Sequence, residues 1–509
     1  MRLASKISAT QIKNYLVPLL LITIGALFRF VNFESKVVFY GDHARDLLTT
    51  LKIVKLGEIV WHGPAASVTW NLLSPIYYYL LLPFYLIGNW HPLTQPVVTD
   101  LLSLFTIILL YSCLKNLWGF KAGLFGSLLY AVSYFVIYDN SIGLNPGFVP
   151  PATVLLVWSF VKVLQGRDKY LWLSALALGW TISFHASSFF IIPPLLILMV
   201  IIRPKISRSN WIKAGLVFFC LAIIPYGIQE KKFAGYNITT VYNYFFSRDK
   251  TAKALAETVP LVTSLKNYAT VILKTPGDVL TPNIYPLTLV VSVVFWLTLI
   301  YVILIKRKQA DLSFQRAAVI FLLYLLFFGL LVRFGTAERP NWWFSNIIFP
   351  ILVMVVAYFV TLLKNRFLFM AILLIVSLVN LVYLNRQTND YSFVRYRDEK
   401  EIALTLLVDA KEQNFDFQFF RGDHLESGAL PPFITLFWYY DKPQFQDRFF
   451  RWLNWNKVPS KDLAYLLFEN SSPGFTREQI LNYQKNMADI NEKLFIKTKY
   501  YEIYKISKI

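Results

Sequence analysis

Residues 15–46 read YLVPLLLITIGALFRFVNFESKVVFYGDHARD: an apolar run long enough to cross a bilayer, followed at once by a cluster of charge. The same alternation recurs along the chain. Of 509 residues, 56% are hydrophobic and 16% charged, more apolar surface than a soluble domain of this length can hide but which lipid can solvate. The spacing predicts spans at 15–33, 96–114, 122–138, 148–164, 170–184, 187–202, 212–228, 283–305, 317–332, 345–363 and 367–385, about eleven helices in all. The first run lacks a small-residue cleavage site and is read as a retained helix.

Charge orients these spans. A net charge of +20 in a soluble protein would suggest nucleic acid, but here the Lys and Arg sit in short runs between apolar segments. Clusters at Arg2/Lys6/Lys13, Lys115/Lys121, Lys162/Arg167/Lys169, Arg203/Lys205/Arg208/Lys213, Lys306/Arg307/Lys308 and Lys364/Arg366 all fall on the cytoplasmic side if the N-terminus is cytoplasmic. Counting 72–88 as a further span would move every later cluster outside. That stretch, with Tyr77, Tyr78, Tyr79, Phe84 and Tyr85 beside Pro75 and Pro83, is therefore expected at the outer interface. Cys113 and Cys220 lie inside apolar segments and give no disulfide framework or metal motif.

The expected architecture is mainly α: a polytopic transmembrane bundle over 1–385 with interfacial helices in its first outer loop, then an extracytoplasmic α/β domain over 386–509. In the latter, 398–410 and 477–493 read as helical and 415–420, 464–468 and 499–506 as extended. No internal repeat is visible.

The outer loops hold the candidate chemistry. In VVFYGDHARDLLTTLKIVKLGEIVWHGP, residues 37–64, Gly41 breaks the chain, Asp42 can cap a helix, and Gly57 stops it. Asp42, Arg45 and Asp46 then share one face at offsets of three and four. The bland reading is an N-cap worth about 1 kcal/mol beside a solvated charge set. Against it, charge near lipid headgroups is costly, and an acid held there can deprotonate an incoming hydroxyl or amine, an effect of typically ~10²–10⁴-fold.

Asp139, in YDNSIGLNPG between two spans, reads alone as a helix-end residue and with Asp42 as a second acid that could bind a divalent cation; no His/Cys ligand spacing supports a metal. His185 at the end of a short span is ordinarily an interfacial residue, with hydrogen bonding to substrate or carrier phosphate as its functional reading. RFGTAERPNWW, residues 333–343, places Arg333 and Arg339 outside, against the positive-inside rule; beyond snorkelling, either can grip a lipid-linked phosphate with a bidentate fork. Lys231 and Lys232 are weaker candidates for that task. Walker, Rossmann, HExxH and GxSxG motifs are absent, as is the WWDYG-type sequence of oligosaccharyltransferases.

Taken in order, these features resemble the GT-C membrane glycosyltransferases, in the branch of the protein O-mannosyltransferases and the lipid A aminoarabinose transferase. The resemblance rests on GDHARD after the first span, then LLSPIYYYLLLPFYLIG, then LKNLWGFKAG, then YDNSIGLNPGFVP. It covers roughly 10–205 well and 206–385 through topology only. It implies an inverting transfer of a sugar from a polyprenyl-phosphate donor to a protein, lipid or glycan acceptor outside the cell membrane, with Asp42 at the position of the family's first-loop acid and Asp139 near its second. In two respects the sequence departs: the mannosyltransferases pair two acids where His43 follows Asp42, and the C-terminal region carries no assignable motif. Two rival readings are a transporter or lipid-linked-sugar flippase, which would place polar groups in broken mid-membrane helices, and a non-catalytic assembly factor presenting its C-terminal domain.

Overall fold

A computed structural model describes residues 9–39, 41–66, 71–246, 261–281, 286–306, 311–334, 345–363, 365–388, 395–410, 416–421, 424–425, 436, 463–469, 490–497 and 501–508. The chain is mainly helical and divides by contact into two compact units. One comprises Met1–Val31, Gly57–Pro83 and Pro96–Asn389; the other comprises Asn32–Leu56, Phe84–Gln95 and Asp390–Ile509.

The first unit is a helical assembly whose members follow the predicted runs: Ala9–Phe30, Thr94–Trp118, Val149–Leu164, Leu171–Phe184, Ile192–Ile202, Leu287–Lys306, Leu312–Phe334, Ser345–Thr361 and Arg366–Thr388. Among the described residues, five helices are long and apolar enough to cross a membrane, or up to six if a bent pair counts as one span. That pair replaces the unbroken span expected at 122–138: Phe120–Val132 and Tyr134–Ile142 meet at 53°, with Ser133 extended between them (φ −62°, ψ 122°). The expected helix at 212–228 runs through Arg208–Lys232 with a widened turn at Phe219–Ile223, just before Pro225 removes a backbone donor. Burial separates centre from rim. The apolar window of Asn145–Leu164 is 83% covered by protein, whereas that of Arg208–Lys232 is 11% covered. Apolar residues such as Trp211, Ile212 and Leu216 stand exposed on the rim, the arrangement lipid requires and water penalises. Small residues bring helices close: a Cβ on Gly277 would lie 2.0 Å from the Thr288 carbonyl oxygen, so Leu261–Leu280 and Leu287–Lys306 touch backbone to backbone.

The second unit joins short helices to a sheet. Strands β1 (Asp416–Arg421), β2 (His424–Leu425), β3 (Leu463–Glu469), β4 (Ile490–Lys497) and β5 (Tyr501–Lys508) lie in the order β2-β1-β3-β5-β4. β1 and β3 are parallel and the other pairs antiparallel. Helix Tyr396–Ala410 is tied to the sheet at Asp409, which accepts from the Tyr465 hydroxyl and pairs with Lys505 at 2.7 Å. The expected helix at 477–493 is corrected at its end, where 490–493 open strand β4; residues 477–489 lie outside the described residues. Seven register pairs with β5 override the local helical spacing there.

Within this unit the stretch 34–39 is held by residues far along the chain. Val38 bridges Arg395, Arg395 Nη1 donates to the Lys36 carbonyl (2.9 Å), Lys400 pairs with Glu34 (2.9 Å), and Phe39 meets Tyr396 edge-on at 5.5 Å.

Candidate active site

The GDHARD segment opens the helix Gly41–Leu56, which ends before Gly57 at φ +65°, a left-handed turn that glycine adopts at no steric cost. Asp42 was expected as the capping residue; the helix already includes Gly41, so Asp42 stands inside the first turn. Its negative charge is still favoured there by the helix dipole, and it bonds sideways as well. Arg45 Nη1 donates to Asp42 Oδ1 at 2.5 Å, while Arg45 Nε and Nη2 donate to Asp46 Oδ1 at 2.8 and 2.7 Å. One guanidinium thus bridges two carboxylates of different character. The Asp46 side chain is fully buried (0% exposed), whereas that of Asp42 is 46% exposed and that of Arg45 37%.

The buried side of this clamp continues through residues that sequence reasoning missed. Asp46 Oδ2 accepts from Gln95 Nε2 (3.1 Å), and Gln95 Oε1 accepts from the Tyr85 hydroxyl (3.1 Å). Trp90 stacks on Tyr85 at 5.8 Å, and buried His43 stacks on Phe39 at 5.1 Å. The chain Tyr85–Gln95–Asp46–Arg45–Asp42 fixes Arg45 from behind and presents Asp42 in front. A half-exposed carboxylate on a preset partner can accept a proton or orient a hydroxyl.

Asp139 belongs to the other compact unit. It is no solvated helix-end residue: it is 9% exposed and lines a narrow, water-sized cleft with Tyr130, Phe135, Val136, Pro150, Phe349 and Pro350. It stands near the C-terminus of Tyr134–Ile142, where the dipole disfavours an anion.

His185 caps the short helix Ala186–Ile191. Its Nδ1 accepts from the Ser187 backbone N–H (3.3 Å) and pairs with the Ser187 hydroxyl (2.5 Å). Burial pushes the imidazole down to about 4, so it is neutral at pH 7 and offers no cation to a phosphate. A depressed histidine adds stability above its unfolded value near 6.5, and that stability is lost as the pH falls toward about 4. His185→Asn, which keeps a capping oxygen but cannot titrate, is expected to flatten the acid side of the thermal-stability profile in detergent between pH 7 and 4. An unchanged acid slope would locate the sensitivity elsewhere.

Of the proposed phosphate ligands, Arg333 falls in the last turn of Leu312–Phe334, while Arg339, Trp342 and Trp343 lie outside the described residues. Lys232 sits over the Trp61 ring at 4.8 Å. Among the described residues no group of three or more His, Cys, Asp or Glu is placed to hold a metal ion.

The apolar span also conceals a charge pair. Arg29, 1% exposed, lies 3.9 Å from buried Asp100 and donates Nε and Nη2 to Ser103 Oγ at 3.0 and 2.8 Å. The available signal was Arg29 itself, an ionisable residue inside a hydrophobic run.

The profile of the dolichyl-phosphate-mannose-protein mannosyltransferase family matches residues 72–228, a region that contains Asp139 and His185 but begins after Asp46. The fold is that of ArnT from Cupriavidus metallidurans bound to undecaprenyl phosphate, at TM-score 0.59 and 10% identity over 98% of each chain. The archaeal oligosaccharyltransferase AglB from Archaeoglobus fulgidus, in complex with an inhibitory peptide and a dolichol-phosphate, aligns at TM-score 0.47 and 11% identity over 79% of this chain and 59% of that one. No curated protein sequence matches. The chain is thus similar to the GT-C membrane glycosyltransferases. Within them it resembles the branch of the protein O-mannosyltransferases and ArnT.

Proposed function

We propose that this protein is a membrane glycosyltransferase that moves a sugar from a polyprenyl-phosphate carrier to an acceptor on the outer face of the cell membrane. The observation that carries the reading is the Arg45 clamp, which buries Asp46 and leaves Asp42 half exposed. The donor class is supported by ArnT, whose fold this chain shares and which was captured with undecaprenyl phosphate. In the proposed step the acceptor's hydroxyl or amine gives its proton to Asp42 as its heteroatom bonds to the anomeric carbon. The bond from that carbon to the phosphate oxygen breaks with inversion, and the carrier phosphate leaves with the electron pair. In the same reading Asp139 acts as a second acid and His185 as a neutral hydrogen-bonding group, while Arg333 and Arg339 stabilise charge on the departing phosphate. Hexose and pentose donors both fit this chemistry.

The topology belongs to the same proposal: about eleven spans over 1–385 with the N-terminus cytoplasmic, and an extracytoplasmic α/β domain over 386–509. The test is purified protein in proteoliposomes given a polyprenyl-phosphate-linked sugar and candidate acceptors. Sugar transfer with release of carrier phosphate supports the reading. The rival flippase reading draws on the broken helix at Ser133 and the buried Arg29–Asp100 pair, features transporters share. Movement of labelled donor between leaflets without any transfer would favour it and overturn the enzyme.

A further inference from the structure

The break that precedes Asp139 has no proline. Residues 120–142 contain no proline, and Gly123 and the Gly126–Ser127 pair lie well before the break at Ser133, which leaves contacts from elsewhere in the chain to account for it. In an unbroken helix the Tyr134 N–H would reach the carbonyl of Tyr130, and the Ala131 carbonyl would receive the N–H of Phe135. Two side chains from distant helices occupy those places. Asn380 Oδ1 accepts from the Tyr134 N–H at 3.0 Å, and Arg29 Nη1 donates to the Ala131 carbonyl at 3.0 Å. Both residues are 1% exposed, where an unmet backbone group has no water to turn to.

Each partner suits its end of the break. Asn380 acts as a cap at the N-terminus of Tyr134–Ile142, its orientation set by its own amide donating to the Val376 carbonyl at 2.9 Å. Arg29 brings positive charge to the C-terminal end of Phe120–Val132, where the dipole favours it. Arg29 also reaches the far side of the bend. Ser103 Oγ, which accepts from Arg29, accepts in addition from Asn140 Nδ2 at 3.0 Å, and Asn140 is the neighbour of Asp139. Asn140 Nδ2 donates as well to the Val136 carbonyl at 2.6 Å, tying this contact back into the short helix.

We propose that Arg29 and Asn380 are positioning residues which impose the 53° bend and thereby set Asp139 in its cleft. This rests on the reading of Asp139 as an acid of the transfer site. A bend made by side chains, unlike one made by proline, is lost when those side chains are removed.

The test uses the full-length protein in proteoliposomes. Asn380→Leu removes the acceptor for Tyr134 and is expected to lower kcat about ten- to hundredfold with KM little changed. Asn380→Gln keeps an amide oxygen for Tyr134 and an amide donor for Val376 and should retain more of the rate than Asn380→Leu. In an Asp139→Asn background Asn380→Leu should add little, because both changes act through one group. Arg29→Lys, which keeps the charge and loses the fork, should fall between wild type and Asn380→Leu. Spin labels at positions 120 and 138 read the bend directly, and Asn380→Leu should lengthen that distance. An unchanged distance overturns the proposal whatever the activity; so does an additive loss in the double variant. If Asp139→Asn transfers normally while Asn380→Leu still lengthens the distance, the bend device stands and the assigned role of Asp139 falls.

Discussion

Asp42→Asn protein is expected to transfer sugar about 10²–10⁴-fold more slowly than wild type while folding normally. The amide has the shape of the carboxylate, and its oxygen can go on accepting from Arg45 Nη1, so the clamp has no reason to open. What is lost is the ability to take a proton from the acceptor. Donor binding should be preserved, so the loss belongs in kcat rather than KM. Equal thermal stability of the two proteins, measured beside turnover, separates chemistry from misfolding. Turnover close to wild type would remove Asp42 from the reaction and leave its charge a structural feature of the helix start.

Arg45→Met should do more damage to the fold than to any single contact. With the guanidinium gone, Asp46 would hold its negative charge at zero exposure against a neutral amide. Stripping one partner from such a pair costs about 3–5 kcal/mol, with the low end fitting here because Arg45 itself is partly exposed. Transfer should vanish in step, since Asp42 loses the group that orients it. Arg45→Met combined with Asp46→Asn is the informative companion. Removing the buried charge should return most of the stability while transfer remains low. A double variant no more stable than Arg45→Met alone would show that Arg45 packs rather than neutralises.

The acidic face was legible because it is local. Asp42, Arg45 and Asp46 fall three and four positions apart, and helical period alone puts them together. The stop at Gly57 was equally local. Gln95 was not legible, lying 49 positions from Asp46 with no pattern joining them. The bend at Ser133 was hidden for the same reason: its causes are Arg29 and Asn380, and the sequence around it reads as a plain apolar span. Asp139 was recognised as a candidate, but its seclusion was not, since burial depends on Phe349 and Pro350 from a later helix. In the C-terminal region, 490–493 carried helical spacing that pairing with β5 overrode. Period and punctuation were readable; long-range side-chain contacts were not.

The bridge between residues 34–39 and 395–400 has a temporal side. Arg395 and Lys36 are 359 positions apart, so at roughly 5–20 residues per second the ribosome needs roughly 20–70 s to deliver one after the other. Throughout that interval the stretch leading into the GDHARD helix is made and waiting while its partners are still unsynthesised. Completion of the entrance to that helix therefore comes late in synthesis: residues 395–400 must be made before Val38, Phe39 and Glu34 can find Arg395, Tyr396 and Lys400. A chain cut short before 395 can insert its helices and still leave the entrance to that helix unfinished.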